Sequence, residues 1–125
     1  MGYEIRFESK KARNIGSITF CTTGIVFQKL RINPELGNIS HIVLDEVHER
    51  DLQTDVLLSV LKTIIQHSKT LKVVIMSASL DIDMFQNYLK CPVIEIKGIY
   101  NRSALIRCLI SDGGSSLTLG AQLIE

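Results

Sequence analysis

An excess of charge of one sign is missing from this 125-residue chain. Its 14 Lys and Arg stand against 13 Asp and Glu, for a net charge of +1. Bulk electrostatics therefore give no general attraction to nucleic acid, and any such affinity must come from local placement of groups. Cysteine is scarce and odd in number. Cys21, Cys91 and Cys108 lack metal-ligand spacing and read as reduced, mostly buried thiols of an intracellular protein. No apolar run approaches the roughly 20 residues that span a bilayer. Glu4, Arg6 and Glu8 interrupt the amino terminus, so it does not read as a secretory signal. Arg6 also stands where a myristoylation signal after Gly2 needs Ser or Thr. Asn101-Arg102-Ser103 fits a glycosylation acceptor that an intracellular chain would not use. These absences point to the cytoplasm or nucleus and to no membrane. No internal repeat is visible, and nothing reads Gly-x-x-x-x-Gly-Lys-Ser/Thr, the glycine-rich loop that cradles phosphates.

What is present is the composition of a soluble globular protein, 46% hydrophobic and 22% charged, with length for one domain and a modest core. Tyr3, Ile5 and Phe7 alternate with Glu4, Arg6 and Glu8, the period of a half-buried strand. Residues 9–14 then form a polar, basic connection, read as a solvated turn. A strand over residues 18–21 leads into a helix capped by Thr22 or Thr23 and reaching about Ile32, with Pro34 and Gly37 as stop signals. The clearest helix begins near Asp51, whose side chain can cap it. Its apolar stripe runs through Leu52, Val56, Leu57, Val60, Leu61, Ile64 and Ile65. A strand over 73–76, a short helix over 83–89 and a strand over 93–96 follow, with Pro92 between the last two. Strands alternating with helices predict an α/β fold with a mainly parallel sheet and flanking helices.

The chemistry lies in His41-Ile42-Val43-Leu44-Asp45-Glu46-Val47-His48-Glu49-Arg50. A buried parallel strand would deliver Asp45 and Glu46 to its carboxyl end, where open α/β sheets bind ligands. In nucleotide hydrolysis two such carboxylates divide the labour, one holding Mg²⁺ through its waters and one orienting or deprotonating the attacking water. The bland alternative is an acidic loop after a strand, with His48 on the surface. A zinc site is disfavoured, because the protease arrangement needs two histidines one helical turn apart and His48 has no such partner.

Two other apolar runs end in small hydroxyl residues. Val73 to Met76 runs into Ser77-Ala78-Ser79, and Ser17 to Cys21 runs into Thr22-Thr23-Gly24. Each is expected at the same sheet edge as Asp45 and Glu46. In this order and spacing, the Asp-Glu-Val-His run and these two segments resemble motifs II, III and Ib of the DEAH/RHA (DExH-box) family of ATP-dependent RNA helicases. Gly2-Tyr3-Glu4-Ile5-Arg6 resembles that family's Gly-Tyr-x-Ile-Arg segment, and Asp45 to Asp55 its extended motif II. The resemblance covers about residues 2–98.

The resemblance implies a partial RecA-like (P-loop NTPase) lobe over residues 1–98, lacking the P-loop strand, with 99–125 a divergent tail of unassigned role. It implies ATP and Mg²⁺ as cofactors, and RNA and a second RecA-like lobe as partners. Glu46, Asp45 and His48 take the catalytic places, Asp45 the metal with Glu46 beside it. Ser77, Ala78 and Ser79 couple hydrolysis to strand separation, Ser79 replacing the family's usual Thr. Thr22, Thr23 and Gly24 contact RNA phosphates. Arg6 approaches the RNA or pairs with Glu4 or Glu8. Arg50 and Asp55 support the motif II loop. Without the P-loop and second lobe, the 125 residues alone are expected to be inactive, a non-catalytic RNA- or partner-binding product being the alternative. The strand at Val73 to Met76 is expected to present a bare apolar edge and to leave the fold marginal.

Overall fold

A computed structural model describes residues 1–77, 82–97 and 103–110, with side chains over 1–77 and 83–94. The chain forms an α/β structure with two mixed sheets. Three short strands, β1 (Gly2–Ile5), β2 (Glu8–Lys10) and β3 (Thr19–Cys21), make the first, in the order β2-β1-β3. Here β1 pairs antiparallel with β2 and parallel with β3. Helix α1 (Thr23–Ile32) leads to the second sheet. That sheet holds β4 (His41–Leu44), β5 (Lys72–Ser77), β6 (Ile94–Lys97) and β7 (Ser103–Ile110), in the order β4-β5-β7-β6. Between β4 and β5 lie a 3-10 turn (Val47–Glu49) and α2 (Leu52–His67), and α3 (Ile82–Leu89) connects β5 to β6.

The core belongs to the second sheet. Val73, Ile75 and Ser77 of β5 are buried while Lys72 is exposed and Val74 and Met76 are half-buried, the period of a strand with one face on the core. Ile42 of β4 joins the buried face, yet Val43 is 56% exposed. The strand read as buried on both faces is thus covered on one. Against the covered face pack Leu57, Leu58, Leu61 and Ile65 of α2 and Phe85 and Leu89 of α3. The stripe expected on α2 is rotated: Leu58 belongs to the core, and Leu52 and Val56 face out at 78% and 45% exposure. Val26, Phe27 and Leu30 of α1 lean on the same core without being fully buried.

The expected mainly parallel sheet is only half found. β4 and β5 pair in parallel, with Ile42 opposite Val73 and Leu44 opposite Ile75. The far edge of β5 is covered by β7, which returns antiparallel with Val73 opposite Leu109 and Ser77 opposite Leu105. Strand β6 then adds antiparallel to β7, Ile94 facing Ile106. The bare edge expected on β5 is therefore closed, by backbone from a stretch that carried no legible motif.

The first sheet is thinner. All of β2 and β3 is exposed, as are Ile5, Phe7, Ile15 and Ile18. The half-buried pattern expected for residues 3–7 is absent, because β1 ends at Ile5 and Phe7 is 90% exposed. What is packed tightly here is Gly2. A Cβ there would sit 2.5 Å from Lys10 O and from Ala12 N, so the backbones approach too closely for any side chain. Lys29 of α1 reaches back to Glu4 of β1 in a 2.9 Å ion pair, tying helix to sheet. Cys21, expected to be buried, is exposed, whereas Cys91 is buried; neither forms a disulfide.

The closed β5 edge gives the first prediction. A chain truncated after Lys97 should lose protection of the Val73 to Met76 amides in hydrogen exchange and aggregate on size-exclusion chromatography, while the full chain does neither. Equal protection in both would show that β7 is dispensable.

Candidate functional site at the carboxyl end of β4

The parallel register carries the site. With Leu44 opposite Ile75, β4 and β5 run out together, and Asp45 and Glu46 leave the sheet at the same edge as Ser77. Asp45 and Glu46 are both exposed, and the Glu46 amide donates to Asp45 Oδ1 at 2.9 Å. Glu46 adopts a left-handed backbone, with φ 54° and ψ 33°, and turns the chain into the 3-10 segment. Val47 is then wholly buried and anchors that segment on the core. Arg50 ends it in a second left-handed position, φ 53°. Each such residue costs about 1 kcal/mol or more in a non-glycine side chain.

Arg50 holds this turn in place. Its Nε and Nη2 grip the Asp55 carboxylate at 2.9 Å each, a forked pair of planar partners. Its Nη1 lies 3.4 Å from Met84 Sδ, and the guanidinium sits 5.8 Å from the centre of the Phe85 ring. One residue thus binds the loop to α2 and α3. Arg50 and Asp55, expected to support the loop, meet in this fork.

His48 is partly buried, and its Nδ1 lies 3.1 Å from Glu46 Oε2. That separation lacks hydrogen-bond alignment, and the buried nitrogen has no aligned partner. A buried ring nitrogen without a hydrogen bond costs roughly 1–3 kcal/mol. Ser77 is buried at the end of β5. Ala78 and Ser79 lie outside the described residues. Among the described residues no three His, Cys, Asp or Glu side chains converge as a metal cluster would require.

The second candidate region is brought close in sequence but not onto the same sheet. Thr22 to Gly24 follow β3, which belongs to the three-stranded sheet, whereas Asp45 and Glu46 follow β4 of the other. The expectation of one shared edge is corrected to two sheets, bridged by α1 packing on α2. Thr22 is the N-cap of α1 in an extended conformation, φ −76° and ψ 156°, and its hydroxyl makes no capping bond. Its carbonyl accepts from the amides of Ile25 and Val26. No acidic side chain occupies the first turn. Arg6 is exposed and pairs with neither expected partner: Glu4 holds Lys29, Glu8 takes the Tyr3 hydroxyl, and Arg6 lies over the Phe7 ring at 5.2 Å. The Glu8 carboxylate beside Tyr3 raises the phenol above its ordinary value, while partial burial pushes the Cys21 thiol up, against the smaller pull of Lys29.

Comparison with known proteins gives the class. No family model matches the chain. Over 98 residues, 78% of its length, the chain is 51% identical to the ATP-dependent DNA/RNA helicase DHX36 of Bos taurus and 50% identical to that of Homo sapiens. It is 46% identical over 99 residues to the ATP-dependent RNA helicase DHX30 of Gallus gallus. The chain spans about a tenth of the length of these curated relatives, 10% for the first two and 8% for the third. Over that stretch the chain is similar to a segment of DEAH-box RNA helicases, as a fragment of that family is.

The cap of α2 supplies a prediction with a definite pH course. Asp51 is extended and accepts a hydrogen bond from the Thr54 amide at 3.0 Å. That bond holds its carboxyl below the ordinary value of 3.8. A carboxylate depressed by folding contributes stability that is present above its unfolded pKa and lost as pH falls through the folded one. Asp51→Ala should therefore lower the melting temperature at neutral pH, Asp51→Asn less so, and the gap between wild type and Asp51→Ala should narrow below pH 3.8. A gap that does not change with pH would refute the cap's ionic character.

Proposed function

We propose that this chain is part of the first RecA-like lobe of an ATP-dependent RNA helicase, in which hydrolysis drives unwinding or remodelling of RNA. The observation that carries the reading is the pair Asp45 and Glu46, exposed at the carboxyl end of a strand in parallel register with the one ending at Ser77. A single exposed carboxylate with one oxygen fixed by an amide suits a cation held through water, the manner in which Mg²⁺ is held beside phosphates. Asp45 would hold that ion, with Glu46 beside it. Bound Mg²⁺ supplies charge neutralisation on the phosphates.

The remaining roles fall to this chain's own atoms. Glu46, thrown outward by its left-handed backbone, orients the attacking water and takes its proton. His48, partly buried with Nδ1 3.1 Å from Glu46 Oε2, would link the state of the site to the motif III hydroxyls of Ser77 and Ser79. Thr22 and the free amides of the first turn of α1 meet RNA phosphates, a contact that tracks the backbone and reads no sequence. Arg6 adds a second, exposed cation for the same path. The chain by itself holds half a site and is expected to show no measurable ATP hydrolysis. A non-catalytic RNA- or partner-binding product is the second reading, favoured by the closure of β5 by β7, which makes the second sheet self-contained.

A chimera in which residues 1–98 replace the matching segment of a full-length relative tests the reading. It should show RNA-stimulated ATP hydrolysis, and Glu46→Gln within it should slow turnover by roughly 10²–10⁴-fold while nucleotide binding persists. An equally active Glu46→Gln chimera would remove Glu46 from the chemistry. Thr22→Asp separates binding from stability. It should cap α1 better and raise the melting temperature, yet weaken RNA binding evenly across sequences. Unchanged RNA affinity would dismiss the α1 terminus as a phosphate site.

A further inference from the structure

The second sheet divides its charge by edge. Because β4 and β5 are parallel, α2 must run back from the carboxyl edge of the strands to the amino edge. Strand β6 is parallel to β5, both being antiparallel to β7, so α3 does the same. At the carboxyl edge and the first turns of these helices stand Asp45, Glu46, Glu49, Asp51, Asp55 and Asp83, outnumbering Arg50 and Lys97 there. Toward the amino edge stand Lys62, Lys69, Lys72 and Lys90, with His67. Helix dipoles favour this sense of separation. They do not require the groove that lies between the ends of α2 and α3.

That groove encloses about 370 Å³ and is lined by Lys62, Ile65, Gln66, Tyr88, Leu89 and Lys90. Its floor is apolar: Ile65 and Leu89 are 9% exposed and continuous with the core. Its rim is basic, and among the described residues no acidic side chain lines it. The Lys62 ammonium rests 3.7 Å from the centre of the Tyr88 ring, whose hydroxyl lies 3.3 Å from Ser59 Oγ. Lys90 is held at the mouth by a left-handed backbone, φ 49°, and by its amide bonding to Gln86 O at 2.7 Å. These bonds fix the position of both walls.

We propose that the α2/α3 groove docks an acidic peptide segment of a partner protein, with one aliphatic side chain on the Ile65–Leu89 floor and its carboxylates between Lys62 and Lys90. Charge complementarity selects the acidic chain, and the apolar floor selects an anchored one. Single-stranded RNA fits less well, because the Tyr88 face that a base would stack on is already covered by Lys62. The groove lies at the opposite end of the helices from Asp45 and Glu46, so an occupant leaves that edge open. The inference does not depend on the proposed catalytic reading.

Titration of the full 125-residue, ¹⁵N-labelled chain with a short Glu/Asp peptide carrying one central Leu tests it. Shifts confined to Lys62, Gln66 and residues 88–90, and affinity lowered about tenfold or more by Lys62→Glu with Lys90→Glu, are expected. Gln66→Glu, a gentler change at an exposed position, should weaken binding in the same direction if the double reversal disturbs folding. The proposal is overturned if a peptide with Gly for Leu binds as well, or if shifts spread over Lys69 and Lys72 alone. It is likewise overturned if an RNA oligonucleotide displaces the peptide from the groove, or if the groove is filled by a second copy's acidic edge in a salt-sensitive dimer.

Discussion

The parallel ladder between β4 and β5 is the constraint on which the rest depends. Four registered pairs, from His41 and Lys72 to Leu44 and Ile75, fix where both strands end. The end of β4 is where the acidic pair begins, and the end of β5 is Ser77. Burial of Ile42, Val73 and Ile75 beneath α2 holds that register, since a slip by one residue would turn the apolar set outward. Val47, wholly buried two residues after Asp45, prevents the turn from relaxing. The two left-handed residues beside it, Glu46 and Arg50, are strained conformations that the core and the Arg50–Asp55 fork together impose. The exposed carboxylates are therefore presented by a rigid turn, although their own side chains touch little.

A second constraint comes from the opposite edge of β5. A helix-connected pair such as β5 and β6 can leave a strand-wide gap between its members, and here β7 fills it from the carboxyl side of the chain. The filling strand runs antiparallel, which suits a return from β6 and accounts for the mixed sheet. Coverage of the faces is less complete. Helices shield one side, Val43 on the other is more than half exposed, and the first sheet leaves Phe7, Ile15 and Phe20 in the open. Apolar groups left uncovered in this number mark surfaces suited to further protein.

How much of this the residues disclose depends on the length scale of the signal. Local chemistry was legible: Asp51 caps α2, Thr22 begins α1, and the runs 41–44 and 73–76 lie in strands. So was the pairing of Asp45 with Glu46 at a strand end. Non-local pairing was not. Lys10 reads as a solvated basic turn, yet it pairs with Tyr3 in a hairpin that no apolar alternation announces. Residues 103–110 carry no motif, and it is the edges of β5 and β6 that give them partners. Helix orientation failed by one position, because both Leu57 and Leu58 suit a core and tertiary packing chose them over Leu52 and Val56. Gly2 shows the same limit: its need for a bare Cα arises from Lys10 and Ala12, which fold back over it. A fixed sheet edge shared by Thr22 and Asp45 was an inference from topology, and the two strands proved to lie in different sheets.

The electrostatics of the carboxyl edge limit what can approach it. Asp45, Glu46, Glu49, Asp51 and Asp55 gather there, against Arg50, which is gripped by Asp55, and Lys97 at the end of β6. A nucleotide triphosphate approaching such an edge meets like charge. At about 4 Å and an effective dielectric near 20, each unscreened pair costs about 4 kcal/mol. A divalent cation or further basic groups would reverse that sign. The acidic groups of the segment thus crowd this edge, while Lys62 and Lys90 stand toward the far end of the same helices.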